Sequence, residues 1–375
     1  MTVADRPDRA RQRARRTHEV FGIPVPVPRD LPRAVANVRA RLGSNGLADL
    51  RPTDSEIVDT NADRTVRRFR STERPATGAP LLLVTPLAAT SVAFDLRRGC
   101  SLVEYLKETG RDVYVVDYGP VNFADRARGF EHWVDDVIPD AVRVVSADAG
   151  GAKVHLAGWS LGGIFAVYTA AAHPELPLRS VTPIASPFDL RQVPLFATLR
   201  PLDRLFGPYT VAPFYKLLGT VPAPLTSLGF KAASIDKYLT RPWTVLANLD
   251  DRDHLEQIEA VDRFMSSMYA YPGRTFGQLY HVVMRSNEFA SGHMQIGGRR
   301  VDLDDIDVPA MVVAGSGDGL APEPAVRHLT ELLNGSPTVR YGVFPGGHLG
   351  VLAGRAARRT MWPAFAEFLA EFDPA

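Results

Sequence analysis

Residues 153–172, KVHLAGWSLGGIFAVYTAAA, place a glycine-bracketed serine between two apolar segments. The mainly apolar residues 154–157 are typical of a buried strand, and the small and apolar residues 161–172 span about three turns, which predicts a buried helix. Strand, turn and helix in this order are the context in which G-x-S-x-G forms a nucleophile elbow. Ser160 is therefore the predicted nucleophile, although so short a pattern also arises by chance in loops.

The elbow spacing has a chemical reason. Glycines two residues before and after the serine avoid collisions with the adjoining strand and helix, so the serine can occupy a strained turn. The following helix directs free N–H groups and its positive dipole end toward Ser160. The backbone N–H of Leu161 is thus one predicted oxyanion donor. The second is expected on the loop after the apolar segment 81–84, where Ala88 is the candidate.

A serine nucleophile needs a general base and an orienting acid, which in this arrangement follow in the order acid, then histidine. Asp318, on a small-residue loop after the apolar segment 309–314, is the predicted acid, and His348, between glycines in FPGGHLG, is the predicted base. Asp318 could instead cap a helix that starts near Pro322. Asp189 in SPFDL is a rival acid, because it also follows a strand.

The predicted reaction passes through an acyl-enzyme. The base takes the serine proton, and the acid stabilises the imidazolium that forms. This chemistry requires no metal or organic cofactor. Other histidines lack the strand-end glycine context and are predicted to be structural or on the surface: His155, His173, His254, His281, His293 and His328.

Strands and helices alternate on both sides of the elbow. This pattern predicts an α/β-hydrolase fold, in which a mainly parallel sheet is covered by helices on both faces and reactive groups lie at the carboxyl ends of the strands. Buried strands are predicted at 81–84, 113–116, 154–157, 181–185 and 309–314, an edge strand at 64–71, and helices at 101–107, 130–147 and 356–372.

Four parts of the chain are distinguished. Residues 1–60 form an Arg- and Pro-rich arm with a peripheral helix, 61–190 the first part of the core, and 301–375 its second part. Between them, 191–300 is dense in Pro, Leu and Phe, which predicts a lid (cap) subdomain inserted after the strand ending near Ala185. The alternative is a helical side domain that packs only on itself.

Composition excludes several function classes. A chain of 375 residues with 45% hydrophobic content can bury a large core, and a net charge of +1 disfavours a nucleic-acid partner. The single Cys100 excludes an internal disulfide and a thiolate metal cluster, which suits a reducing cytoplasm. The charged first 18 residues do not resemble a secretory signal, and no apolar run is long enough to span a membrane. We expect a soluble, cytoplasmic protein.

Several motifs resemble one known family: FDLRRGCSLVEYL, VVDYGP, HLAGWSLGG, GQLYHVVMRSNEFASGHMQIGGRRVDLDDI and FPGGHLGVLAG. They are similar to the catalytic subunit of polyhydroxyalkanoate synthases, nearest to the two-subunit class, over about residues 80 to 370. The resemblance implies an α/β-hydrolase core with a lid and hydroxyacyl-CoA thioesters as substrates. It also implies a nucleophile, acid and histidine at Ser160, Asp318 and His348, with oxyanion donors at Ala88 and Leu161.

The chain departs from that family in three places. The family nucleophile is cysteine where this chain has Ser160, and the family's His after the acid is Gly319 here. Ala89 and Thr90 replace an Asn and an Arg in the loop after the first buried strand. A cysteine thioester keeps exchange with CoA reversible, whereas a serine oxyester is more stable, so serine suits hydrolysis at least as well as polymerisation. Cys100 lies where the family has an ordinary helix-start residue and is not a displaced nucleophile.

The sequence thus predicts a serine acyl-transfer enzyme that acts on a hydrophobic acyl thioester or ester, with CoA as one candidate carrier. An esterase, lipase, depolymerase or thioesterase is the alternative enzyme. A lipid- or granule-surface binding protein with a vestigial triad is the alternative outside enzymes, and the intact Ser, Asp and His set argues against it. The sequence leaves open the acyl chain length and the need for a homodimer or a helical partner subunit.

Overall fold

A computed structural model describes residues 17–20, 23–26, 28–43, 46–71, 76–194, 220–222, 235–281 and 286–374. It divides into two compact units, one formed by Met1–Asp49 with Ser234–Asp262 and the other by Leu50–Ala233 with Arg263–Ala375. The strands are β1 (Thr17–Val20), β2 (Ile23–Pro26), β3 (Glu56–Thr60), β4 (Thr65–Phe69), β5 (Leu81–Val84), β6 (Val113–Asp117), β7 (Val154–Trp159), β8 (Leu178–Ile184), β9 (Thr220–Val221), β10 (Tyr271–Pro272), β11 (His293–Ile296), β12 (Arg299–Asp302), β13 (Ala310–Gly315) and β14 (Val339–Phe344).

The described helices follow the same order. None of them is long and apolar enough to cross a membrane. They are α1 (Leu31–Arg41), α2 (Leu102–Glu108), α3 (Ile138–Asp148), which follows a π-helical turn at His132–Val137, α4 (Leu161–Ala172), α5 (Ile235–Ala247), α6 (Arg252–Ser266), α7 (Gly273–Gln278), α8 (Glu323–Arg327), α9 (Gly350–Ala353) and α10 (Met361–Glu371).

The larger unit is built on an eight-stranded sheet with the order β14-β13-β8-β7-β5-β6-β4-β3. The six strands from β14 to β6 are parallel, and β4 and β3 complete the sheet as antiparallel strands. Every residue of β5, β7 and β13 is buried, as expected where helices cover both faces of a parallel sheet. The predicted α/β-hydrolase fold is confirmed.

One strand prediction was wrong in its place in the sheet. The segment predicted at 64–71 as an edge strand is β4, which lies between β3 and β6. The edge is β3, within the stretch that we assigned to a peripheral arm. Its sequence, EIVDT, leaves most side chains exposed or half-buried, so it lacks the apolar signal of the inner strands.

The helices around the elbow pack on the sheet and on one another. Helix α4, which begins directly after Ser160, packs on β7 and β8 and against α3, while α2 packs against α10. Buried aromatic rings fill the space beside α4; Phe130 and Phe165, for example, lie with their centroids 4.8 Å apart. This packing makes the turn between β7 and α4 a rigid part of the core.

The predicted lid is only partly described. Residues 195–219 and 223–234 lie outside the described residues, so a cover over Ser160 by 191–300 stays a prediction. The described remainder includes the antiparallel pairs β9–β10 and β11–β12 in the larger unit.

The smaller unit contains the β1–β2 hairpin, α1, α5 and most of α6. The Asn37 side chain of α1 donates to the Leu249 carbonyl at 2.8 Å. The helix predicted near the start of the chain is present as α1.

Candidate active site

Ser160 lies at the turn between β7 and α4 with an unusual backbone conformation, φ 56° and ψ −123°. A Cβ atom at Gly158 would lie 2.3 Å from the Gly162 carbonyl oxygen, and one at Gly162 would lie 2.4 Å from the Val84 carbonyl oxygen. Only glycine fits at either position, so the strand and helix can approach closely enough to form the strained turn.

Two hydrogen bonds hold the backbone of this turn. The Ser160 N–H donates to the Ile184 carbonyl at 2.8 Å, and the Ser186 hydroxyl donates to the Ser160 carbonyl at 2.7 Å. Both partners lie on or just after β8, the neighbouring parallel strand. The elbow is therefore fixed across the sheet as well as along its own chain.

His348 lies on the loop after β14 and reaches the elbow. Its Nε2 lies 2.8 Å from Ser160 Oγ, and its Nδ1 lies 2.8 Å from Asp318 Oδ2. The His348 side chain is 10% exposed and the Asp318 side chain is fully buried. Ser160, His348 and Asp318 form a continuous chain of hydrogen bonds, the arrangement that acyl transfer by a serine requires.

The two carboxylate oxygens of Asp318 have different partners, and both backbone donors precede α8, so Asp318 does not cap the helix that starts near Pro322. Oδ2 faces the imidazole, and Oδ1 accepts the N–H groups of Leu320 at 2.8 Å and Ala321 at 2.9 Å. The backbone bonds fix the carboxylate plane, so the orientation of the His348 ring is set by the main chain of this loop.

The rival acid Asp189 does not contact His348. Its carboxylate accepts the N–H of Arg191 and the side-chain amide of Asn287, both at 2.9 Å. Burial would raise the pKa of Asp189, but these hydrogen bonds more than offset burial and leave the pKa below its usual value. Asp189 caps the short helix Leu190–Gln192 and binds the side chain of Asn287, which is distant in the sequence.

The two predicted oxyanion donors follow neighbouring strands of the sheet. Leu161 is the first residue of α4, and Ala88 lies on the loop after β5, which pairs directly with β7. The Ala88 carbonyl accepts the Tyr269 N–H at 2.8 Å, which anchors that loop. Close by in sequence, the buried Thr90 hydroxyl has no hydrogen-bond partner among the described residues.

Other candidate groups are engaged elsewhere. Cys100 is fully buried, and its thiol donates to the Ala353 carbonyl. Within the described residues, no group of three or more His, Cys, Asp or Glu side chains could hold a metal ion. Histidines bound to partners outside the elbow are His155 (Ser180, Asp373), His173 (Asp135, Glu175), His293 (Ser291) and His328 (Ala290), while His254 lies in α6 and His281 follows α7.

A second Ser, His and Asp set lies at the opposite ends of the strands, which the sequence analysis did not predict. His155 Nδ1 lies 2.7 Å from Ser180 Oγ, and its Nε2 lies 3.2 Å from Asp373 Oδ1. Asp373 also accepts two hydrogen bonds from Arg111 and the N–H of Ala79. Each of these partners lies at or just before the amino end of β5, β6, β7 or β8, except Asp373, which follows α10.

Trp159 is a residue of the site that the sequence analysis passed over. It is 4% exposed, and its indole N–H donates to the His348 carbonyl at 3.0 Å. The sequence signal for it was its place in the elbow motif, immediately before Ser160.

Comparison with known proteins gives matches of three kinds: a family model, curated relatives and solved structures. A model of the alpha/beta hydrolase fold family matches residues 80–354. The chain is 29% identical over 299 residues to "Poly(3-hydroxyalkanoate) polymerase subunit PhaC" of Allochromatium vinosum, covering 78% of this chain and 81% of the relative. The subunit of the same name from Haloferax mediterranei is 24% identical over 85% of this chain and 64% of the relative. A crystal structure of Paleococcus ferrophilus monoacylglycerol lipase matches with 18% identity and a TM-score of 0.48, over 83% of this chain and 99% of that chain.

Proposed function

The chain belongs to the α/β-hydrolase fold family and is an enzyme of the polyhydroxyalkanoate-synthase-like acyltransferase or hydrolase type, and from this premise we propose that it transfers hydrophobic acyl groups through a covalent acyl-serine at Ser160. The observation that carries the proposal is the hydrogen-bonded chain from Ser160 through His348 to Asp318 at the elbow. The proposed substrate is a (hydroxy)acyl thioester, with CoA as the carrier, or an ester.

Each residue has a defined part in the proposed reaction. His348 takes the Ser160 proton as the hydroxyl attacks the acyl carbon, and Asp318 stabilises the imidazolium. The N–H groups of Leu161 and Ala88 are proposed to bind the oxyanion. His348 then returns the proton to the leaving thiolate or alkoxide, which leaves an ester on Ser160.

The fate of that ester distinguishes the two candidate enzymes. A hydroxyl group of a second substrate gives chain growth, and water gives hydrolysis. A serine ester lies lower in energy than the thioester a cysteine would form, and an admitted water suffices to turn it over. We propose broad acyl transfer with prominent hydrolysis, in a cytoplasmic protein, with an esterase, lipase, depolymerase or thioesterase as the second candidate.

Partners follow from the relatives. The relatives are named as polymerase subunits. We therefore propose that polymer formation requires a helical partner subunit or a second copy of the chain. A surface-binding protein with a vestigial triad is the remaining alternative. It predicts no covalent reaction at Ser160.

The test measures all products together. Wild type, Ser160→Ala and Ser160→Cys are incubated with hydroxybutyryl-CoA and, separately, with nitrophenyl esters, and CoA, free acid and polymer are quantified. We expect wild type to release free acid in excess of polymer, Ser160→Ala to be inactive, and Ser160→Cys to shift the ratio toward polymer. Wild type that gives polymer almost alone would overturn the emphasis on hydrolysis, and turnover by Ser160→Ala would overturn the acyl-serine.

A further inference from the structure

We propose that Trp159 is a positioning residue that holds the general base in place from within the nucleophile elbow. Its indole N–H donates to the main-chain carbonyl of His348 at 3.0 Å, and the indole and imidazole centroids lie 5.1 Å apart. Trp159, the residue before the proposed nucleophile, is thus hydrogen-bonded to the main chain of the proposed base. The inference rests on the proposed function, because it assigns His348 the role of base.

The indole bond is one of several that hold the main chain of the histidine loop. His348 lies in the sequence Gly346-Gly347-His348-Leu349-Gly350, and glycines lose more conformational freedom on ordering than other residues. The two ring bonds, to Ser160 and Asp318, orient the imidazole. The main chain from which the ring projects is held by other bonds: the Gly346 and Gly347 carbonyls accept backbone N–H groups at 2.8 and 2.9 Å, and the His348 carbonyl accepts the indole N–H.

A neighbouring segment supports the indole. The Phe264 ring, in the last turn of α6, lies 6.2 Å from the Trp159 ring and is 2% exposed. Five residues later, the Tyr269 N–H binds the Ala88 carbonyl. Residues 264–269 therefore contact both the indole that grips the base and the loop that carries the proposed oxyanion donor Ala88.

The test uses the rate at which a fluorophosphonate labels Ser160, since this reaction reports the activated serine without requiring the natural substrate. Trp159→Phe keeps an aromatic ring and removes the N–H donor. We expect its labelling rate to fall roughly tenfold, the scale of one lost hydrogen bond acting on the reacting geometry. The matched control is Trp133→Phe, which removes another buried indole N–H, bonded to Thr275 Oγ1 at 3.1 Å, and should label at nearly the wild-type rate.

A spectroscopic readout separates positioning from stability. The His348 Nδ1 proton, held by Asp318, should give a downfield proton resonance in the wild type and in Trp133→Phe. In Trp159→Phe we expect this signal to broaden or disappear, with a melting temperature no lower than that of Trp133→Phe. If Trp159→Phe does not fold, benzothienylalanine at position 159 keeps the ring shape without the N–H and takes its place.

The outcomes are distinct. Labelling of Trp159→Phe within twofold of wild type, with an unchanged resonance, would overturn the positioning role while the proposed function stands. Wild type that is not labelled at Ser160 would overturn the proposed function itself. Phe264→Leu should give a smaller loss, about threefold, in the same direction. No change in that variant would overturn the supporting role of Phe264.

Discussion

The two ends of strand β7 each carry a serine, a histidine and an aspartate in a hydrogen-bonded row. At the carboxyl end, His348 lies 2.8 Å from both Ser160 and Asp318. At the amino end, His155 lies 2.7 Å from Ser180 and 3.2 Å from Asp373. Residue types and distances are therefore nearly the same at the two ends, and neither tells a catalytic set from a structural one.

Access and charge separate the two sets. Ser160 is partly exposed on a strained turn at a helix N-terminus, whereas Ser180 and His155 are completely buried. Burial lowers the pKa of His155, which favours the neutral ring. The Asp373 carboxylate is already paired with Arg111, so it supports an ion pair rather than an imidazolium. The set at the amino end (Ser180, His155 and Asp373), here called the lower set, joins strands to the residues after α10. Only the set at the carboxyl end includes a partly exposed serine that can meet a substrate.

The largest expected difference between the two sets is in the turnover that remains after each serine is replaced. Ser160→Ala or His348→Ala should lower turnover by about 10⁵- to 10⁶-fold, and the double variant should be little worse, because the residues act as one unit. Ser180→Ala should retain turnover close to wild type. The measurement is kcat/KM on a nitrophenyl ester. Near-wild-type turnover by Ser160→Ala would contradict the contrast, and so would loss of turnover in folded Ser180→Ala.

The acids give the next largest difference. Asp318→Asn should lower kcat by about 10⁴-fold, because an amide favours the wrong histidine tautomer. Asp189→Asn should change kcat far less, since Asp189 binds Asn287 and a backbone N–H instead of His348. Steady-state kinetics of the two variants decide the matter, and the reverse ranking would reassign the acid.

Local patterns account for the parts of the site that the sequence could predict. The elbow is contained in five consecutive residues and in the strand and helix on either side, so its form follows from nearby residues. The choice between Asp318 and Asp189 does not, because both follow strands that are neighbours in the sheet. Asn287, 98 residues from Asp189, is the partner that occupies it.

Long-range partners explain what the sequence could not reveal. The lower set joins His155 to Asp373 across 218 residues, and no motif marks that spacing. The hydrogen bond from Trp159 to His348 joins residues 189 positions apart and depends on where the histidine loop folds back. At the sheet edge, β3 was missed because an exposed strand carries little apolar periodicity.

Breaking the lower set should cost stability and leave the chemistry intact. Asp373→Asn leaves the Arg111 guanidinium, whose side chain is 7% exposed, without its carboxylate, and should lower the free energy of unfolding by about 3 kcal/mol. The matched control is Asp302→Asn, which removes an exposed ion pair with Arg300 and should have little effect. Urea denaturation measures both. Equal midpoints for the two variants would show that the lower set does not stabilise the fold.

The smallest expected effect is a pH dependence of that stability. Because burial holds the pKa of His155 below its unfolded value of about 6.5, the unfolded chain binds a proton that the folded chain does not as the pH falls below that value. Stability should therefore decline on the acid side by up to about 1.4 kcal/mol per pH unit. The lowered pKa of Asp373 should continue the decline below about pH 4.

His155→Gln tests this assignment. Unfolding free energies between pH 5 and pH 8 should depend less steeply on pH in the variant than in the wild type. Parallel curves would mean that other groups carry the acid dependence.

At the elbow, the main chain of Gly158 and Gly162 lies against neighbouring main chain. This close contact also determines which motif positions can be varied to change the acyl groups that the enzyme accepts. An added methyl at Gly158 or Gly162 would meet main-chain atoms, so no second-site truncation could make room for it. At Gly163 the nearest atom is Ser186 Oγ, yet the Gly158 carbonyl oxygen at 2.7 Å would remain after Ser186 was trimmed. Combinatorial libraries that randomise these glycines would lose their members to misfolding before any selection. Leu161 already carries a side chain, so substitutions at this motif position add no new Cβ atom beside the main chain.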